Sequence, residues 1–206
     1  MSFPERLAVA SKNLHKLREI ARICADWPVR WFTVENTDAA WPDVEEPFET
    51  YRENALAKAR EVAAALGVPA VADDSGIEVD ALGGAPGPRS ARYAGDGATD
   101  AENLAKLLEQ LRDVAPEART ARYRCVAAVA WPGGLEQWAE GTCEGRIVED
   151  TRGERGFGYD PAFVPAAQPG DDATERTMAE LADAEKDRIS HRGSAFRALR
   201  ALLRSG

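Results

Sequence analysis

The run ARYRCVAAVAW (121–131), the turn Pro132-Gly133-Gly134 and the following LEQWAEGTCEGRIVE constrain the fold more than any other stretch. The run is the longest strand pattern in the chain, and a tight turn after it predicts a long hairpin. Before it, strand and helix patterns alternate. RLAVA (6–10) reads as a strand, Asn13 as the cap of a helix carrying Leu14, Leu17, Ala21 and Cys24 at helical spacing, and RWFTV (30–34) as a second strand. TYRE (50–53) is a capping-box pattern opening a helix that runs through Leu66 and stops at Gly67. AVAD (70–73) and IEVDAL (77–82) read as two strands separated by a turn at Ser75-Gly76. TDAE (99–102) is a second capping box, ahead of an amphipathic face formed by Leu104, Leu107, Leu108 and Leu111. TMAE (177–180) is a third, and the last helix carries Phe196, Leu199 and Leu203 on one face. Crossovers together with a hairpin predict an α/β fold on a mixed sheet flanked by helices.

Composition narrows the classes. A chain of 206 residues with 44% hydrophobic and 30% charged residues can bury a core, and one domain over 1–206 is expected. No apolar run approaches the ~18 residues of a membrane span. The start, MSFPERLAVASKN, has no basic and apolar segments of the secretory kind. Cys24, Cys125 and Cys143 are widely spaced and odd in number, which predicts buried thiols in a reducing compartment. The net charge of −9 argues against a broad nucleic-acid surface, though not against one anionic ligand. Loops rich in Pro, Gly or Asp fall near 36–47, 83–98, 113–119 and 165–174. Trp131 and Trp138 on the hairpin serve either an interface or the core.

Six polar segments carry possible chemistry. Ser11, Lys12 and Asn13 join a strand to a helix, and a helix N-terminus with Lys12 and Lys16 beside it suits phosphate. Glu45 and Glu46 lie in an acidic loop with no evident structural duty, and carboxylates of that kind suit a hard cation such as Mg2+. In VADDSGIEV, an extended chain sends Asp73 and Asp74 to opposite faces; one enters a cleft, and the other is free to bond a turn amide. The loop GGAPGPRSARYAG places Arg89 and Arg92 where they meet phosphates or pair with the aspartates. Phe157 and Tyr159 stand in a glycine-rich loop, either exposed to stack on a flat ring or tucked into the core. His191, one of two histidines, is followed by Arg192 and preceded by Lys186, a grouping suited to an anion or a base edge.

In order, SKNxHK, TYRENALAKAR, ADDSGIEVDALGGAPGxxSARYAG, GFGYDPxF and EKxxISHRG resemble the inosine triphosphate pyrophosphatase family over nearly the whole chain. The resemblance implies hydrolysis of ITP, dITP and XTP to the monophosphate and pyrophosphate, with Mg2+. It implies an elongated mixed sheet in two lobes with the nucleotide in a cleft between them, a homodimer, and a cytoplasmic enzyme with small-molecule partners only. Residue by residue, it implies that Ser11, Lys12, Asn13, Leu14, His15 and Lys16 hold the triphosphate. Glu45 and Asp74 would bind the metal, with Asp74 also the general base and Ser75 on the substrate. Phe157, Gly158, Tyr159 and Asp160 would shape the base pocket, and Lys186, His191 and Arg192 would complete recognition. The chain departs from the pattern at Lys12, where the family commonly has glycine, at His15, where a small residue is frequent, and at Pro88-Arg89. A Maf-type pyrophosphatase for modified or pyrimidine nucleotides and a non-catalytic nucleotide sensor are the alternatives.

Overall fold

The structure, a computed structural model, describes residues 3–37, 39–168 and 175–205. In chain order its elements are β1 (Arg6–Val9), α1 (Leu14–Ile23), β2 (Arg30–Phe32), α2 (Tyr51–Leu66), β3 (Ala70–Val79), α3 (Asp100–Gln110), β4 (Thr120–Ala130), β5 (Glu136–Ile147), β6 (Phe163–Pro165), α4 (Asp183–Ile189) and α5 (His191–Ser205). The strands form one sheet in the order β2-β1-β3-β4-β5-β6. β1 runs parallel to both β2 and β3, and β5 antiparallel to β6, so the sheet is mixed as the sequence predicts. The residues divide into two compact units. The first comprises Met1–Asp74, Cys125–Gly141 and Arg192–Gly206; the second comprises Ser75–Arg124 and Thr142–His191.

Local chemistry explains most boundaries. The Asn13 side chain accepts from the His15 and Lys16 N–H groups and starts α1. Thr50 accepts from the Glu53 N–H at the start of α2, but Glu53 takes the Thr50 hydroxyl rather than a backbone N–H, so only half of that box forms. Gly67 ends α2 at φ 65°, a left-handed conformation that glycine adopts without strain. Both bonds of the box form at Thr99 and Glu102.

In the first unit, Phe196, Leu199 and Leu203 of α5 are fully buried against Leu7, Ile20, Val71 and Val129 in one core cluster. Trp131 packs on the edge of that cluster, whereas Trp138 is 38% exposed with the Arg52 guanidinium 5.2 Å from its ring. The second unit has its own core around Ile77, Leu107, Tyr123, Phe163 and Leu181. The cysteines are buried free thiols, and burial pushes the Cys143 thiol up to about 12.

Three expectations need correction. The turn at Ser75-Gly76 is absent: β3 continues through it to Val79, and Asp80–Leu82 is a 3-10 turn rather than strand. The Ile77 N–H is instead met by the Ser90 hydroxyl at 2.9 Å, so a loop side chain supplies the pairing that keeps the chain extended. β2 stops at Phe32, two residues short of the pattern. TMAE forms both bonds of its capping box, as the sequence predicts, though the element it opens is the 3-10 turn Met178–Glu180, and the Thr177 hydroxyl also donates to the Arg152 carbonyl at 2.8 Å. Of the loop expected near 165–174, residues 169–174 lie outside those described.

Phe196 sits 6.1 Å from the Trp27 ring in the centre of the first core. Phe196→Ala is expected to lower the unfolding free energy by about 3–5 kcal/mol in urea titration, the usual loss for an aromatic truncated in a packed interior. A loss below about 1 kcal/mol would contradict this packing.

Candidate functional site

Two polar clusters are assembled, one in each unit. In the first unit, β3 carries Asp73 and Asp74, which are 2% and 3% exposed. Because the strand is extended there, the two carboxylates meet different partners. Asp73 Oδ2 accepts from Arg192 Nε at 3.1 Å and Nη2 at 3.0 Å, and lies 3.3 Å from Lys16 Nζ. Arg192 also donates to Glu19 of α1. Asp74 faces α2: its Oδ1 lies 3.4 Å from Lys58 Nζ, and its Oδ2 accepts from Asn54 Nδ2 at 3.2 Å. Lys58 donates as well to Glu46 of the acidic loop. Asn54 is fully buried and pins that loop by exchanging bonds of 3.1 Å with the Phe48 N–H and carbonyl.

The two aspartates differ electrically. Burial alone would raise Asp73, but Lys16, Arg192 and Lys58 outweigh it and hold its carboxyl far below the ordinary carboxylate range. For Asp74 burial prevails: its pKa is raised despite the opposing pull of Lys58 and Lys16. Burial works against the charge of Lys58, yet Asp74, Glu46 and Asp73 together keep its pKa above the usual value. Glu46 is lowered, the Lys58 ammonium outweighing its own partial burial.

The second unit holds the other cluster. The Asp160 carboxylate, 2% exposed, takes Lys186 Nζ at 2.5 Å and the Phe157 N–H at 2.9 Å on Oδ2. The Tyr123 hydroxyl lies 3.2 Å from its Oδ1. Lys186 also stands 5.2 Å from the centre of the Phe157 ring. His191 stacks on Tyr123 at 4.6 Å. Nearby, the Gly158 N–H donates to Asp100 at 2.9 Å, and the Tyr159 hydroxyl donates to the Ser90 carbonyl at 2.8 Å.

Residues 7–202 match the model of the Ham1 family. The chain belongs to the Ham1 family. It is 47% identical over 192 residues to a dITP/XTP pyrophosphatase of Geobacillus kaustophilus, covering 93% of this chain and 91% of that protein. It is 49% identical to a dITP/XTP pyrophosphatase of Frankia alni, covering 97% of each chain. The solved structure of a HAM1 protein from Coxiella burnetii superposes with a TM-score of 0.84 at 38% identity, covering 98% of this chain and 100% of that one.

Seen as a Ham1-family member, the chain brings many of the expected residues into these clusters. Lys16, Asp74 and Arg192 fall in the first, and Phe157, Asp160, Lys186 and His191 in the second. Ser11 and Asn13 shape the turn into α1, the Ser11 hydroxyl accepting from the Asn13 N–H at 3.2 Å, while Leu14 is 44% exposed and His15 exposed. Lys12 pairs with Asp43 on the surface. Glu45 is exposed in the acidic loop, and its neighbour Glu46 is the one turned toward Lys58. Ser75 lies half-buried in β3. Asp73 anchors Lys16 and Arg192, a pairing for which Arg89 and Arg92 were the candidates. Tyr159 is buried in the core of the second unit rather than displayed on its loop. Lys58, Asn54, Glu19 and Tyr123 were not singled out. The first three lie at helical positions whose spacing reads equally well as a solvated or packed face, and Tyr123 reads as one more strand aromatic.

The Asp73 shift gives a pH dependence with a definite sign. A carboxyl depressed in the folded state adds stability that is present above its unfolded value, about 3.9, and is lost as pH falls toward the folded value. Unfolding titrations between pH 6 and 2 should show stability declining below about pH 4, and Asp73→Asn should flatten that limb. An equally steep acid limb in the variant would contradict the ion-paired assignment.

Proposed function

We propose that this chain hydrolyses deaminated purine nucleoside triphosphates (dITP, ITP and XTP) to the monophosphate and pyrophosphate with Mg2+. The observation that carries the reading is Asp74: a buried carboxylate of raised pKa, held by Lys58 and Asn54 and sharing Lys58 with Glu46. A carboxylate made more basic by burial suits a general base. The names of the relatives support the choice of substrate.

The residues fit a hard divalent cation. Among the described residues no three His, Cys, Asp or Glu side chains gather as a metal site. Yet Mg2+ takes one or two carboxylates and completes its shell with water and phosphate oxygens. That Glu46 and Asp74 both approach one ammonium indicates that carboxylates of the acidic loop and of β3 converge on a single positive charge. Asp74 and Glu45 are the proposed ligands, with Glu46 next in line. When bound, the ion neutralises phosphate oxygens and lowers the pKa of water.

The chain's own groups do the rest. A triphosphate brings about four negative charges, which Lys16, Lys12 and the N-terminal end of α1 offset over the segment Ser11, Lys12, Asn13, Leu14, His15 and Lys16. Asp74 accepts the proton of the water that attacks the α-phosphorus, and pyrophosphate leaves. Ser75 contacts substrate. In the second unit, Phe157, Gly158, Tyr159 and Asp160 shape the base site, and Lys186 and His191 offer donors to the C6 carbonyl of hypoxanthine or xanthine; the Arg192 guanidinium is committed to Asp73 and Glu19 in the first unit. Adenine carries an amino group there and would leave a buried donor unmatched, a mismatch that sites of this kind reject.

Chain segments of the two units alternate in sequence, which supports one pyrophosphatase domain over residues 1–206. Free buried thiols support a reducing, cytoplasmic setting. Exposed Leu135 and Trp138 offer apolar surface for a homodimer. No helix among the described residues is long and apolar enough to cross a membrane. The net charge of −9 gives nucleic acid little to hold.

Incubation with Mg2+ and ITP, XTP, GTP, ATP, dUTP or dTTP, with the leaving group identified, tests the whole reading. Pyrophosphate released from ITP and XTP, and abolished by a chelator, is expected. Orthophosphate release or a pyrimidine preference would overturn it. Asp74→Asn should lower turnover by ~10²-fold or more.

A further inference from the structure

Three positions of the proposed base reader, His191, Lys186 and Phe157, come from separate segments of the second unit, and all are tied to one side chain. Tyr123 of β4 lies parallel to the His191 ring, with centroids 4.6 Å apart and planes at 9°. Phe163 meets the Tyr123 ring edge-on at 4.7 Å and 62°, which blocks its rotation. The phenol hydroxyl reaches Asp160 Oδ1 at 3.2 Å, leaving Oδ2 of the same carboxylate to hold Lys186 and the Phe157 N–H. Tyr123, His191, Asp160 and Lys186 are each less than 8% exposed, so none is swept through alternative positions by solvent contact.

We infer that Tyr123 is a positioning residue for purine recognition: its ring sets the plane of His191, and its hydroxyl sets the carboxylate that aims Lys186 and the Phe157 loop. The inference rests on the reading of that cluster as the base site. A carboxylate with donors on both oxygens has one rotamer that satisfies them; removing the hydroxyl frees it to turn about its last bond and loosens both partners on Oδ2. The imidazole has the same dependence on the stack. A residue that only filled the core would leave base selectivity alone so long as the fold held.

Two variants separate these roles. Tyr123→Phe keeps the stack and the volume and removes the hydroxyl. Its ITP KM should rise about 5-fold, the scale of one lost buried hydrogen bond, with kcat within about 2-fold of wild type. Tyr123→Leu removes the stack as well, and the ratio of kcat/KM for ITP over ATP should shrink by roughly 10-fold or more, with the phenylalanine variant retaining most of it. Inhibition by inorganic tripolyphosphate, which has no base, should be unchanged in both. The protein has only two histidines, so the imidazole NMR signals resolve: Tyr123→Leu should move the His191 signal out of the ring-current field and leave that of His15 in place. Wild-type selectivity for ITP over ATP tests the function itself, and its absence would overturn both readings. Wild-type selectivity intact, with folded variants that keep both KM and the ITP/ATP ratio, would overturn the role of Tyr123 alone. So would a loss of ITP and tripolyphosphate binding by the same factor.

Discussion

The first unit is organised by two neighbouring aspartates inside a buried strand. Removing a carboxylate from water costs several kcal/mol unless a positive charge and hydrogen bonds replace the solvent. An extended chain sends Asp73 and Asp74 in opposite directions, so each takes its own ion-pair partners. The structure meets the demand from three helices: Lys16 of α1 and Arg192 of α5 turn to Asp73, and Lys58 of α2 turns to Asp74. Arg192 also reaches Glu19, which joins α5 to α1 directly. The carboxylates therefore do more than carry charge. They fix the rotation of each helix against β3, which apolar contacts around Leu17, Val71 and Phe196 specify less sharply.

The same constraint divides the labour. Asp73 has cations to spare and stays ionised far into acid, which suits an anchor. Asp74 has one ammonium shared with Glu46 and one amide, and burial leaves its carboxyl more basic than usual. A proton acceptor needs that second kind of environment, and a structural ion pair needs the first. Exchanging the partners of the two residues would produce a weak base and a poorly compensated anchor. Adjacent residues of identical chemistry are thus separated by which face of the strand they occupy.

How much of this was legible follows from the range of each interaction. The Asn13 cap and the Thr99–Glu102 box are formed within a few residues, so sequence displays them in full. The burial of Phe196, Leu199 and Leu203 follows from their spacing alone. The Ser75-Gly76 turn failed because the local preference of a Ser-Gly pair lost to the long-range bond from Ile77 to Ser90. The pairing of Asp73 with Arg192 spans 119 residues, and no periodicity encodes it. The resemblance gives Arg192 a role and Asp73 none, so it does not reveal that they touch. Among Glu45 and Glu46, sequence offered two equivalent carboxylates, and only the path of the loop over Asn54 turns the second toward Lys58.

Glycine content misleads in a similar way. RGFGYD reads as a flexible loop, yet Gly156 stands at φ +73°, and a Cβ there would lie 2.0 Å from Asp160 Oδ2. The left-handed conformation lets the chain double back, and the missing side chain lets the carboxylate close over it. Lys186 Nζ lies only 3.1 Å from that same point, so the space a methyl would take is already shared by an ion pair. The glycine is therefore the condition for a tight fold in which a buried carboxylate binds its own loop and a distant lysine together. A loop built this way holds its donors in place before any ligand arrives, and preorganised donors discriminate between a carbonyl and an amino group better than donors that must first be gathered.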